Sequence, residues 1–205
     1  MFYGLYISYL KSFYTVSLVL FLAGLQAVCF ASEEIPAFDD QVQAIGKSIE
    51  QGKLQEAKTS VDQFWAEHRT EDGFVDAARR IKDSYWSAGD YTEHFELCER
   101  IVTVFPNDPL SIGIQVDQVT GYIKLKDLTK ASEKLEQFWT RYSSDERFVD
   151  YARQIKDQYW WDGYYQEHFN LCERILSEFP DDPLAMSIYA DDITGYIKTQ
   201  NIATA

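Results

Sequence analysis

Gln63 to Lys124 is written again as Gln137 to Lys198, with every landmark displaced by the same interval of about 74 residues. Phe64-Trp65 returns as Phe138-Trp139, Phe74-Val75-Asp76 as Phe148-Val149-Asp150, and Glu93-His94-Phe95 as Glu167-His168-Phe169. Leu97-Cys98-Glu99-Arg100-Ile101 returns as Leu171-Cys172-Glu173-Arg174-Ile175, and Thr120-Gly121-Tyr122-Ile123-Lys124 as Thr194-Gly195-Tyr196-Ile197-Lys198. Roughly 35 of about 62 positions are identical, which marks an internal duplication and hence an array whose units bury their apolar faces against one another.

The spacing of apolar residues gives the elements of that array. Phe38, Val42, Ile45 and Ile49 lie on one face of a helix, Gln51-Gly52 stops it, and Leu54, Ala57, Val61 and Phe64 form the next stripe. Inside the duplicated block Phe74, Ala78, Ile81 and Tyr85 make one stripe, Gly89 breaks it, and His94, Cys98, Ile101 and Phe105 make another. Asp90 with Glu93, and Ser143 with Glu146, have the spacing of a capping box. Asp108-Pro109 and Asp182-Pro183 place an N-cap residue before a proline at the first helical position. No segment reads as a strand, so the expected class is all-α. Ala57, His94, Ala131 and His168 recur at one place in successive second helices, about 37 residues apart, so the unit is a helix pair repeated four times. Asp182 to Lys198 repeats a first helix alone and is expected to cap the fourth pair.

Gly89, Tyr91 and Pro106, and again Gly163, Tyr165 and Pro180, resemble the turn glycine, the following aromatic and the closing proline of the tetratricopeptide repeat family. The likeness runs from about Phe38 to Lys198. Lys82 and Lys156 stand where that family usually has a small residue, and His94 and His168 replace its usual alanine. The resemblance implies an α-solenoid of four helix-turn-helix pairs plus a C-terminal capping helix. It also implies a scaffold that binds a protein or peptide in the groove lined by the first helices.

Phe13 to Ala31 is an uncharged run preceded by Lys11 and followed by Ser32-Glu33-Glu34, the pattern of a secretory leader. Cys29 and Ala31 are small residues suited to cleavage after Ala31. The expected organisation is a signal peptide over 1–31 and a repeat domain over 32–205, exported to a periplasmic or extracellular space. The alternative is retention of the run as an N-terminal anchor, which would be the chain's one route to a membrane. A formal charge of −14 opposes nucleic acid and anionic lipid, since both need Lys and Arg to displace counterions. A neutral or basic protein or peptide partner fits it better.

The same residues include pairs with the spacing of catalytic or metal-binding groups. His94 with Cys98, and His168 with Cys172, are spaced i, i+4. A structural zinc site needs four convergent ligands and each copy offers two, so no metal is expected. Cys98 and Cys172 are four helices apart, beyond the roughly 7 Å reach of a disulfide, and read as small buried hydrophobes. The histidines read as core residues with Asp83 and Asp157 as acceptors. No phosphate loop, nucleophile elbow or metalloprotease motif is present, so neither a cofactor nor catalysis is expected. Trp86, Trp160, Trp161, Tyr164 and Tyr165 could instead stack on sugar rings, which makes an aromatic-lined glycan binder the alternative function.

The candidate site follows from helical geometry. Asp76, Arg79, Asp83 and Trp86 fall on a face apart from the core stripe, at spacings of three, four and three, and Asp150, Arg153, Asp157 and Trp160 repeat them. In a tetratricopeptide-like array this face lines the concave groove, where arginine and tryptophan make effective contacts.

Overall fold

The computed structural model describes residues 38–203, and every regular element among them is a helix. The chain divides into two compact units, Met1–Gln41 and Val42–Ala205. Of the first, only the turn Phe38–Gln41 falls among the described residues. The leader-like run Phe13 to Ala31 lies outside them. Among those described, no helix is long and apolar enough to cross a membrane.

Among the described residues nine helices follow in order: α1 (Phe38–Glu50), α2 (Leu54–His68), α3 (Phe74–Ala88), α4 (Tyr91–Val104), α5 (Ser111–Lys124), α6 (Leu128–Tyr142), α7 (Phe148–Trp161), α8 (Tyr165–Glu178) and α9 (Ala185–Ala203). They form four pairs and a single closing helix, the all-α solenoid that the repetition predicts.

The four turns inside the pairs are one object repeated. Gly52, Gly89, Lys126 and Gly163 take left-handed φ values of 74, 78, 63 and 82°. The next amide then reaches back over the finished helix, Lys53 to Ser48, Asp90 to Tyr85, Asp127 to Tyr122 and Tyr164 to Tyr159, at 3.0, 3.0, 3.0 and 2.8 Å. This is the Schellman closure, which satisfies carbonyls that a helix end leaves orphaned. Three of the turns use glycine, for which the conformation carries no Cβ penalty. Lys126 adopts it against that penalty, at a cost of about 1 kcal/mol.

The helix starts differ from the expected caps in four places. Asp90 does accept from the Glu93 amide at 3.3 Å, but the Glu93 carboxylate turns away to Lys58 at 2.6 Å, so the box is half closed. Ser143 is the C-cap of α6 rather than an N-cap, and α7 starts only at Phe148, because Asp145 takes the loop's donors, including the Arg147 amide at 2.9 Å. Pro109 and Pro183 precede their helices by a turn: Asp108 accepts from Leu110 N at 2.9 Å and Asp182 from Leu184 N at 2.8 Å, and the helices begin at Ser111 and Ala185. An unheralded cap is Asp127, whose side chain accepts from Lys130 N at 3.1 Å.

Aromatic corners join one pair to the next. The Trp65 ring meets Phe74 edge-on at 4.9 Å with Phe105 alongside, and Trp139, Phe148 and Phe179 repeat the arrangement at 4.8 Å. Rings in such edge-to-face pairs gain about 1 kcal/mol beyond burial. Between successive pairs, α5 packs directly on α7, first helix against first helix. The second helices are instead bridged by long side chains, Arg100 to Asp62 at 2.7 Å, Lys134 to Glu99 at 2.6 Å and Arg174 to Glu136. Along this stretch the first helices α5 and α7 meet directly, while the second helices are joined through side chains.

Candidate functional site

The first-helix stripe is a chain of alternating charges. The Arg79 fork divides between Asp76 at 2.7 Å and Asp83 at 3.2 Å, and Arg80 also reaches Asp76, at 3.4 Å. Asp83 is held from beneath by Lys82 Nζ at 2.6 Å. Lys82 also donates to Asp117 of α5 at 2.7 Å, which ties the first helices of two successive pairs. On α7 the pattern recurs with Arg153 to Asp150 at 3.1 Å, Lys156 to Asp157 at 2.6 Å and Lys156 to Asp191 of α9 at 2.9 Å. Here Arg153 does not reach Asp157, and its Nε is buried without a hydrogen-bond partner among the described residues.

The two lysines stand out in the sequence only as departures from the repeat pattern, and the structure gives them a role. They are 1% and 0% exposed, among the most buried side chains described, while their partners Asp83, Asp117 and Asp191 stay about half in water. An ammonium in that position is costly unless paired. Burial pulls the Lys82 pKa down, but the Asp117 carboxylate, with the Asp83 hydrogen bond, more than offsets it, so the net shift is upward; Lys156 behaves alike through Asp157 and Asp191. The signal in the sequence was a lysine inside each apolar stripe, followed at once by Asp and again by Asp about 35 residues on.

Trp86 and Trp160 stand apart from the charged ladder. The Trp86 indole packs on Tyr91 and His94 at 4.8 and 5.1 Å, and a Cβ on Gly121 of α5 would lie 3.2 Å from it. Trp160 does the same with Tyr165, His168 and Gly195 of α9. Lys124 and Lys198 each lie 5.8 Å over the corresponding ring. The indoles fill the layer between pairs, and Gly121 and Gly195 are the slots that admit them. Trp161, by contrast, is exposed.

The histidine acceptors also differ from expectation. His94 Nδ1 donates to the Lys82 carbonyl at 2.9 Å and His168 Nδ1 to the Lys156 carbonyl at 2.9 Å, so Asp83 and Asp157 are not the acceptors. Those carboxylates are already turned to the lysine ammonium groups. With Nδ1 protonated, Nε2 is left to accept from the Cys98 thiol at 3.6 Å, and the second copy repeats this with Cys172. Burial lowers both histidine pKa values and keeps the rings neutral. It raises both thiols, Cys172 to about 12, so neither supplies a thiolate at neutral pH. Among the described residues no three His, Cys, Asp or Glu side chains converge to hold a metal ion.

α4, α5 and α6 line an open cleft of about 510 Å³. Its floor is the Phe95 and Tyr122 rings, stacked at 3.9 Å, and its walls carry Glu99, Gln118, Lys130 and Lys134. Gln118 donates to Glu99 at 3.3 Å and Lys134 completes the group at 2.6 Å. Nothing in the spacing singled these residues out, because they come from three different helices.

No protein-family model matches the chain, and no curated protein matches it. Among the solved structures that resemble it are two of nearly identical TPR-like repeats of a Podosopora anserina protein described as a kinesin light chain, one of them a point variant. Each is 17% identical, with TM-scores of 0.47 and 0.48, over 83% and 82% of this chain and 90% of the other. What the described residues form, by their own geometry, is an all-α array of TPR-like helix pairs.

Proposed function

We propose that the chain is a non-catalytic scaffold that binds a neutral or basic protein or peptide segment along its first-helix face. One observation carries this reading: a ladder of carboxylates recurs at the same register on α3 and α7, each rung fixed by an arginine at its side or a buried lysine beneath it. Asp76, Asp83, Asp117, Asp150 and Asp191 remain about half exposed. Preorganised acceptors of this kind suit the N–H donors and cations of a partner chain, with little ordering cost on the scaffold's side. Arg79 and Arg153 act here mainly by positioning Asp76, Asp83 and Asp150.

The reading extends to location. The Phe13 to Ala31 run supports export with cleavage after Ala31, and mass spectrometry of the protein made in a bacterial host should find Ser32 at the N-terminus. An intact Met1 in the membrane fraction would replace export with anchoring.

The binding test is the double substitution Arg79→Ala with Arg153→Ala, beside Glu133→Gln on α6 as a control. Each protein is immobilised and exposed to an extract of the cells it comes from, and the captured proteins are compared. The arginine variant should lose a partner that wild type and control both retain. If it keeps its helicity and melting temperature and captures the same set, the first-helix reading is wrong.

A further inference from the structure

The two copies treat one surface in opposite ways. On α5, Ile112, Val119 and Ile123 are 1%, 0% and 0% exposed, and they share a core cluster with Ala131, Leu135 and Phe138 of α6. Their counterparts on α9 are Met186, Ile193 and Ile197, exposed by 81%, 50% and 58%. Tyr189 and Tyr196 extend the same face and are exposed as well. The floor of the cleft is also reproduced, with the Phe169 and Tyr196 rings stacked at 4.2 Å. Among the described residues, no element covers on α8 and α9 the surface that α6 covers in the first copy.

The first copy also shows which charge belongs there. Lys134 of α6 sits on Glu99 at 2.6 Å. In the second copy Glu173 stands at the place of Glu99, and Asp192 replaces Gln118. Asp192 Oδ1 is buried and has no hydrogen-bond partner among the described residues. The neighbourhood has a carboxylate pair and lacks the cation that completes the same group one block earlier.

We propose that the α8–α9 face is a docking site for an amphipathic helix of a partner chain that copies the pattern of α6. Such a helix has apolar residues at i, i+3, i+7 and i+10, as at Leu128, Ala131, Leu135 and Phe138, and a lysine or arginine at i+6, as at Lys134. Its apolar face covers Met186, Ile193 and Ile197, and its cation sits between Glu173 and Asp192. A second copy of this chain is the poorer occupant. Two such faces brought together would oppose Asp192 and Glu173 of one copy with those of the other, at a formal charge of −14 per chain. This site is on a different surface from the first-helix ladder and does not rest on it.

The probe is a synthetic peptide of residues 126–143 of this chain, labelled and titrated against the full-length protein by fluorescence anisotropy. Saturable binding is expected, weakened about tenfold or more by Ile193→Asp or Met186→Asp. Because both side chains are exposed, these variants should keep the wild-type circular dichroism and melt. A peptide with Lys134→Glu should bind about threefold or more weakly at low salt, and Glu173→Gln with Asp192→Asn should remove that difference. Arg79→Ala with Arg153→Ala should leave peptide binding unchanged. No saturable binding, or binding insensitive to both apolar substitutions, would overturn the proposal. So would sedimentation showing a dimer of the full chain that Ile193→Asp dissociates, because the face would then belong to a second copy.

Discussion

The first copy of the duplicated block is closed on both sides, and the second is closed on one. The same residues have different consequences in the two settings. Val119 and Ile193 occupy one register, yet the first is enclosed by α6 and the second faces water. Glu99 is stabilised as a carboxylate by Lys134 and Gln118, whose hydrogen bonds outweigh its burial and lower its pKa. At the matching corner Asp192, desolvated and beside Glu173, has a raised one. Burial in this molecule is conferred by the neighbouring unit, as expected of a one-dimensional array in which each repeat is stabilised through its interfaces.

The comparison breaks most visibly with a charge. Val119→Asp should cost more than about 4 kcal/mol, because it buries an unpaired carboxylate in the central cluster. Ile193→Asp at the same register should stay within about 0.5 kcal/mol. Urea melts of the two variants should differ accordingly, and equal losses would show that α9 is enclosed in solution.

Next comes the glycine slot. A Cβ on Gly121 would meet Phe95 at 3.0 Å and one on Gly195 would meet Phe169 at 2.7 Å. By contact alone Gly195→Ala is the worse change. However, α5 is held from behind by α6, whereas the far face of α9 is exposed and the helix can shift outward. We expect Gly121→Ala to cost about 1–3 kcal/mol and Gly195→Ala clearly less, read from thermal melts.

The buried histidines give a smaller, pH-dependent effect. Their folded pKa values lie below the unfolded value of about 6.5, so the unfolded chain binds protons first as the solution is acidified. Their contribution is complete above that value and is lost as pH falls through it towards the folded values. Melting temperatures should decline from pH 7.5 to 5.5, and His94→Gln with His168→Gln should flatten that slope. The smallest effect is expected of Asp192→Asn, which removes the carboxylate pair with Glu173. It should gain about 0.5 kcal/mol at neutral pH, whereas Gln118→Glu in the first copy should lose a comparable amount by setting a second carboxylate beside Glu99.

The repeat and the alternation of stripes made the helix pairs legible, because both are periodic and periodicity survives in one dimension. Gly52, Gly89 and Gly163 marked their turns for the same reason, whereas Lys126 did not, since its side chain disguises a glycine-like backbone. The site was legible only as a set of residues on a face. Asp76, Arg79 and Asp83 do share one, but Asp83 is also fixed by Lys82 from the core side, and Lys82 in turn reaches Asp117 on another helix. Trp86 and Trp160 lie on the geometric stripe and still pack inward, because glycines on the next first helix leave room for an indole. The 510 Å³ cleft was out of reach altogether, as no interval within one helix encodes a concavity built from three.

The lysine bolts have one more consequence. Lys82 finds Asp117 and Lys156 finds Asp191 through the same pairing of elements, with the same tryptophan over the same glycine. Each half of one fastening fits its counterpart in the other. During folding, α3 and α4 can therefore accept α9 in place of α5, leaving the intervening block looped out. By chain-closure statistics, each doubling of such a loop adds only about 0.6 kcal/mol, so entropy alone discriminates weakly against the mistake. The two helices differ at several packing positions: the exchange would set Asp192 against Glu99 where Gln118 belongs, and Tyr189 where the buried Gln115 belongs. Departures from perfect duplication at these contacts would favour the right partner over its near copy.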